Sequence, residues 1–351
     1  MTEEIVIEDF RGDAAALEKM ACHAWRDEYG IDSYPNLYKP EYLDYLMRGM
    51  DDPRLAIAAY QGDEIVGFLL SIPRIMTLDG VEYRVALTCL LVVRREQMRR
   101  GLAQAMIEEG LKRNEALQFD FTLFYLETGH RSSWMFKKLA RAGFPIERVK
   151  RMRITARVLN MRPIRESENI KWYEGLAMRI LGADHPPAGD MDPRTRIAGP
   201  EDAPAIAELL NRHKDKVRLA RVFSEEEVER ELLAGPIART VVWDDGGIKG
   251  VIASVTVDHV GRKTVPWSWV NHVWWDELSL SERFSFTRSY LLDATARGHA
   301  GVVEWTKNTY PTAALYLSRF VPYPRSVDMM SWRFRNDITL SDIPDVYEVQ
   351  I

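Results

Sequence analysis

Residues 85–110 read VALTCLLVVRREQMRRGLAQAMIEEG. A nearly unbroken apolar run from Val85 ends at Val93, and a basic turn carrying Arg94, Arg95, Arg99 and Arg100 follows. Beyond Gly101 the apolar residues recur at helical spacing. This is the pattern of a buried strand feeding a helix. The first N–H groups of a helix lack partners within it and lie at the positive end of its dipole, so one anion can satisfy several of them. Gly101 removes a side chain where an extended ligand would approach the backbone, Ala103 nearly does so, and the arginines add positive charge beside them. The stretch predicts a grip for phosphate or pyrophosphate.

The neighbouring segments predict a sheet assembled around this junction. Ile5–Ile7 reads as a short strand, and Asp13 can cap a helix whose apolar positions include Leu17, Met20, Ala21 and Ala24. Leu55–Tyr60 and Ile65–Pro73 form a hairpin pattern around Gln61-Gly62-Asp63, with Gly67 marking a bulge or a close approach. After the key helix come a strand over 120–127, a helix over 131–142 and a strand over 148–158. Residues 161–193 read as a structured connector with one short helix. The opening order then recurs: a helix ending near Leu210, a hairpin over 239–257, strands near 268–273 and 301–305, and helices over 283–296 and 312–320. The expected fold class is α/β with a mixed sheet, in two related domains over 1–160 and 194–351 joined by 161–193. Nothing in residues 276–285 repeats the Gly101 turn, so one phosphate grip is expected, in the first half.

Composition narrows the chemistry. The chain has 351 residues, room for two cores, and its 47 basic and 52 acidic residues leave a net charge of −5, which gives no electrostatic case for nucleic acid. Its two cysteines, Cys22 and Cys89, make neither a disulfide framework nor a metal cluster, and Cys89 reads as a small core residue. No metal site, P-loop, dinucleotide motif or hydrolase triad is legible. The acidic start MTEEIVIEDF is unlike a targeting segment, and no apolar run reaches the roughly 18–20 residues of a membrane span, so a cytoplasmic location is expected.

The run Met98-Arg99-Arg100-Gly101-Leu102-Ala103 resembles the acyl-CoA-binding segment of the GCN5-related N-acetyltransferase (GNAT) superfamily, which has Arg or Gln, two residues, Gly, one residue, then Gly or Ala. Met98 stands at the first position. The helix ending in KKLARAGFPIERV is similar to the superfamily helix that helps surround the cofactor. CLLVVRREQMRRGLAQAMIEEGLKR, YEGLAMRILGADHPPAGDMDPRTRIAGPEDAPAIAELL and KVRLARVFSEEEVERELL further resemble the N-myristoyltransferase family, over about residues 40–351. Cys89 stands where that family has Asn, and Leu90-Leu91 where it has Phe-Leu.

That resemblance implies tandem acyl-CoA N-acyltransferase domains that move an acyl group, long-chain in the family, from CoA to a primary amine such as an N-terminal glycine. It implies that the backbone amides of Leu90 and Leu91 stabilise the oxyanion formed when the thioester carbonyl is attacked. Leu91, Val92, Val93, Arg94, Met98, Arg99, Arg100, Gly101, Leu102 and Ala103 then contact acyl-CoA. The terminal carboxylate of Ile351 is implied as the group that receives the amine's proton, with Glu127 as the second candidate and His130 after it. Tyr34, Tyr38, Tyr125, Thr128 and His130 are expected on the acceptor side. No metal and no covalent enzyme intermediate are required, and the acceptor is a small amine or a peptide N-terminus. Two other readings stay open: a tandem acetyltransferase of small amines or amino acids, and a non-catalytic acyl-CoA-binding protein.

Overall fold

The computed structural model describes residues 4–29, 33–129, 131–141, 143–180, 182, 185–306 and 309–348. His130 and Ile351 lie outside them. The first half contains β1 (Ile5–Asp9), α1 (Ala14–Tyr29), β2 (Tyr34–Pro35), α2 (Pro40–Met47), β3 (Ala56–Gln61), β4 (Glu64–Leu78) and β5 (Val81–Val93). It continues with α3 (Leu102–Ala116), β6 (Phe121–Glu127), α4 (Arg131–Arg141) and β7 (Ile146–Val158). Helices α5 (Met161–Ser167) and α6 (Trp172–Ile180) form the connection. The second half runs β8 (Thr195–Ile197), α7 (Ala203–Asn211), β9 (Leu219–Val222), α8 (Glu225–Val228), β10 (Ala238–Asp244), β11 (Ile248–Val260) and β12 (Thr264–Trp274). Then come α9 (Leu280–Ala296), β13 (Gly301–Thr306), α10 (Ala313–Leu317), β14 (Val321–Arg333) and β15 (Val346–Tyr347).

The strands form one mixed sheet in the order β1-β3-β4-β5-β6-β14-β7-β13-β12-β11-β10-β8, with β2 added to β11 and β9 joining β4 to β15. The hairpin β4–β5 and the parallel pair β5–β6 recur as β11–β12 and β12–β13. This is the internal repeat expected from the sequence. The last strands cross over, however: β14 pairs antiparallel with β6, from Val327↔Glu127 to Arg333↔Phe121, while β7 pairs antiparallel with β13. Strand β7 thus belongs by sequence to residues 1–160 and by pairing to β13 and β14.

The sequence pattern did not predict β14, and its residues explain why. Pro322 and Pro324 punctuate it, and Asp328 falls in its middle. The ladder with β7 skips residues 324–325, and the Asp328 carboxylate accepts from Nε of Arg151 at 2.7 Å and from its Nη2 at 3.1 Å. A strand broken by proline and charge is stable here because both neighbours are already fixed.

Helix α3 is seated by close approach. Its buried residues Leu102, Met106, Ile107, Gly110, Leu111 and Asn114 share one face. A Cβ at Gly67 of β4 would sit 2.5 Å from Sδ of Met106, and one at Gly110 would sit 2.8 Å from Leu69 Cδ2. Burying a side chain such as Met106 or Leu111 is worth roughly 1.5–3 kcal/mol. At its far end Asn114 Nδ2 donates to the hydroxyls of Thr88 and Thr122, both at 3.2 Å, pinning the helix to β5 and β6. On the opposite face α1 and α2 cover a large apolar cluster that runs from Leu17 to Val346 and includes residues of both halves.

Candidate active site

Strands β5 and β6 pair only from Val85↔Phe121 to Thr88↔Phe124. Beyond Thr88, where Asn114 ties the strands together, they part. Cys89–Val93 and Tyr125–Glu127 then line a shared cavity of about 1430 Å³. The gap joins two faces of the sheet. Phe124 and Leu126 pack with Ile107 and Phe136 under α3 and α4, whereas Leu90 and Tyr125 pack in the cluster covered by α1 and α2.

One edge of this gap carries a β-bulge. Val92 opposes Phe68 and Cys89 opposes Leu70, so Leu90 and Leu91 together face Leu69 and leave the regular ladder. Leu90 has φ 56°, in the left-handed region that a branched apolar residue seldom adopts. A bulge at this point takes the extra residue out of the regular ladder with β4.

Beyond the bulge, the turn at 95–97 leads to Arg99 at φ 64° and Gly101 at φ 86°. Gly101 is the N-cap residue of α3, and no side chain caps this helix. A Cβ there would meet nothing within 4 Å, so the approach to the helix N-terminus is open. The corresponding helix after β12 is different: in α9 the hydroxyl of Ser279 accepts from the backbone N–H of Glu282, and the Glu282 carboxylate accepts from that of Ser279 at 2.8 Å. Both halves carry a bulge, at Leu90–Leu91 in the first and at Asn271 in the second. Only the first combines it with an uncapped helix start. The start of α3 is therefore open to an anion, while the ends of β12 and β13 hold buried Trp275 and Tyr310, whose hydroxyl bonds the Glu304 carboxylate.

Among the residues expected at the site, Leu90, Leu91, Val92, Val93, Met98, Arg99, Gly101, Ala103, Tyr38, Tyr125 and Glu127 line the cavity. The others lie elsewhere for identifiable reasons. Arg94 turns to Glu64, 2.7 Å away, and to the carbonyl of Ile65; Leu102 is buried beneath α3, and Arg100 is exposed. The hydroxyl of Tyr34 donates to the Cys22 carbonyl at 3.2 Å, and that of Thr128 accepts from Ser326 at 3.0 Å. Tyr125 donates to the backbone carbonyl of Glu348 at 3.0 Å, and burial, then the nearby Glu348 carboxylate, hold its hydroxyl in the neutral form. Burial pushes the Cys89 thiol up to about 12, so it is not a thiolate at neutral pH.

Sequence reasoning missed the far half of the cavity, where Trp267, Trp269, Trp305 and His259 gather. The alternating WSW in β12 was the available signal, since residues two apart share a strand face. Among the described residues no group of three His, Cys, Asp or Glu is placed to hold a metal, and no helix is long and apolar enough to cross a membrane.

Residues 21–122 match the model of the acetyltransferase (GNAT) domain family. Two solved structures of Saccharomyces cerevisiae N-myristoyltransferase with bound myristoyl-CoA superpose over 100% of this chain. One has TM-score 0.80 at 14% identity and is covered over 90% of its own length; the other has TM-score 0.78 at 13% identity and is covered over 86%. The chain has a GNAT fold in tandem. A GCN5-related N-acetyltransferase from Kribbella flavida superposes less closely, with TM-score 0.51 at 14% identity over 94% of this chain and 71% of that one. No curated protein matches by sequence. At these identities the likeness to the solved structures concerns the fold alone.

Proposed function

We propose that the protein is an acyl-CoA-dependent N-acyltransferase whose reaction takes place in the gap between β5 and β6. The observation that carries this reading is the bulge at Leu90–Leu91 beside the uncapped start of α3. Pyrophosphate binds the α3 N-terminus near Arg99, Gly101 and Ala103, and the thioester carbonyl lies against the Leu90 and Leu91 amides. An uncharged primary amine attacks that carbonyl carbon, the C–N bond forms, the C–S bond breaks, and the CoA thiolate leaves. Glu127 shares the alternating face of Tyr125 in β6 and lines the cavity, which supports it as the acceptor of the amine's proton. The Tyr125–Glu348 hydrogen bond brings the C-terminal segment to the same wall and supports a role for the Ile351 carboxylate.

In this reading residues 1–160 and 194–351 are two copies of one ancestral domain that exchange their last strands across the 161–193 connection. The first copy holds acyl-CoA and the second shapes the acceptor side. The N-myristoyltransferase architecture favours a long acyl donor.

The test is CoA release from acetyl-CoA and from myristoyl-CoA, with and without added primary amines. Release that requires an amine is the expected result. Tight acyl-CoA binding with no amine-dependent release from either donor would replace the enzyme with a binding protein.

A further inference from the structure

The cavity extends well past the reaction gap, to a chamber on the face covered by α1. Its walls include Trp267 and Trp269 of β12, Trp305 of β13, His259 of β11, and Trp25 of α1 with Tyr38. Ile154 of β7 and Met161 and Ile164 of α5 complete the apolar lining.

The rings hold one another in place. His259 stacks on Trp267 at 5.2 Å between centroids, Trp269 Nε1 donates to His259 Nε2 at 3.2 Å, and Trp269 meets Trp305 edge-on at 6.1 Å. The hydrogen bond from Trp269 uses the imidazole lone pair, and burial keeps His259 neutral. The nearest acid on the same strand, Asp258, is paired with Lys39 at 2.9 Å. Of the charged residues in the cavity lining, Arg99 and Glu127 belong to the reaction gap, and Glu168, Lys171 and Glu174 to the segment from α5 to α6. Trp305 is 2% exposed, and its Nε1–H meets no acceptor among the described residues.

Such a chamber rewards an uncharged apolar body and offers no counter-ion to a cation. Its position then assigns the ligand. The phosphate grip lies on the α3 side of the sheet, where Ile107, Phe124, Met135 and Phe136 give the pantetheine arm and acyl chain an apolar wall of their own. The tryptophans lie on the other side of the gap, in one cluster with Leu90 and Tyr125.

We infer that the chamber is the acceptor subsite, and that the acceptor is a primary amine carrying a bulky apolar or aromatic body rather than a small polar amine or a glycine peptide. This rests on the acyltransferase reading, which puts the amine nitrogen at Leu90–Leu91. The body then fills the space between Trp269, Trp305 and Ile154, and the Trp305 N–H is available to an oxygen on the ligand.

The experiment has two arms on the full-length chain. In the first, CoA release from acetyl-CoA and decanoyl-CoA is followed with 2-phenylethylamine, ethanolamine and glycylglycine, for the wild type and for Ile154→Trp, which fills the chamber. The inference expects kcat/KM at least about tenfold higher for 2-phenylethylamine, as burial of a phenyl group predicts. It expects that preference to collapse in Ile154→Trp. Equal use of the three amines would overturn the chamber assignment and leave the acyltransferase reading standing. Loss of the decanoyl-over-acetyl preference in Ile154→Trp, with the amine preference intact, would give the chamber to the acyl chain and likewise overturn it.

In the second arm, tryptophan fluorescence is titrated with 2-phenylethylamine, ethanolamine and choline in the absence of CoA. Saturable change with 2-phenylethylamine alone, abolished by Ile154→Trp, supports the subsite even if no amine releases CoA, in which case the enzymatic reading fails by itself. An equal response to choline would mark a cation cage and overturn the inference.

Discussion

The hydroxyl of Tyr125, in β6, donates to the backbone carbonyl of Glu348 at 3.0 Å, joining residues 223 apart in sequence. Tyr125 also lines the reaction gap. One hydrogen bond therefore fastens the C-terminal segment to the wall on which the acceptor is proposed to bind. Tyr125→Phe keeps the ring and removes that bond, at a cost of about 0.5–1.5 kcal/mol by denaturant unfolding. The expected kinetic result is reduced turnover with CoA affinity unchanged, measured by CoA release and by calorimetric titration with desulfo-CoA. A parallel loss of CoA affinity would mean that the bond supports the cofactor side instead.

Gly101 provides the sharpest test of the phosphate grip. Its φ of 86° is strained for any residue with a Cβ, yet that Cβ would touch nothing in the protein. Gly101→Val should lower stability by about 1–2 kcal/mol through backbone strain alone. Beyond that, CoA binding should weaken at least about tenfold, because the side chain enters the approach to the α3 donors. A folded variant that binds CoA with wild-type affinity would remove the pyrophosphate from this helix start.

The same region marks the boundary of what the sequence makes legible. A strand ending in LLVV, a basic turn and a small-residue helix start are local features, and local features survive as pattern. The repeat was also readable, because β3–β6 and β10–β13 carry the same order of hairpins and helices. The crossover of β7 and β14 was not, since it depends on pairing partners rather than on any periodicity within Val321–Arg333. The departure of Leu90 and Leu91 from the ladder likewise depends on where β4 and β6 lie. The family likeness pointed to those amides, but the bulge at that point has no signature in CLLVV. Trp267, Trp269 and Trp305 read individually as core, and only the fold gathers them onto one cavity wall.

Glu231 anchors a buried charge network behind the cavity. Its carboxylate accepts from Arg221 at 2.8 Å and from Arg74 at 3.1 and 3.2 Å, and Glu348 lies 3.9 Å from Arg221. Burial by itself would raise the carboxyl's pKa, but Arg221 and then Arg74 overcome it and hold the group at about 2. Because the folded value is depressed below an unfolded value of about 4.3, the ionised pair stabilises the fold fully above that pH. The contribution is lost as pH falls from about 4.3 through about 2. Glu231→Gln should cost about 3–5 kcal/mol at pH 7, since it leaves two buried arginines short of a partner. The gap between wild type and variant, measured by urea unfolding, should narrow with acidification over that window. A constant gap would assign the loss to packing.

His259 carries the opposite experiment, on the chamber itself. Burial among Trp267 and Trp269 lowers its pKa to about 3, against an unfolded value of about 6.5. A base that the fold keeps neutral adds stability above the unfolded value and loses it on descent, because the unfolded chain takes up the proton first. Stability should therefore fall from about pH 6.5 toward pH 3, by up to about 1.4 kcal/mol per pH unit for one such histidine. His299, lowered to about 4 by burial and then by Arg297, adds a second, independent share. His259→Phe keeps an aromatic ring beside Trp267 and gives up the hydrogen bond from Trp269, so it should lower stability modestly at pH 8 and flatten one share of the acid slope. The measurement is urea unfolding of wild type and variant at pH 8, 6.5, 5.5 and 4.5. Parallel curves across that range would mean that the fold leaves the His259 pKa unshifted, and below about pH 6.5 the chamber would then carry a charge that its proposed apolar ligand could not tolerate.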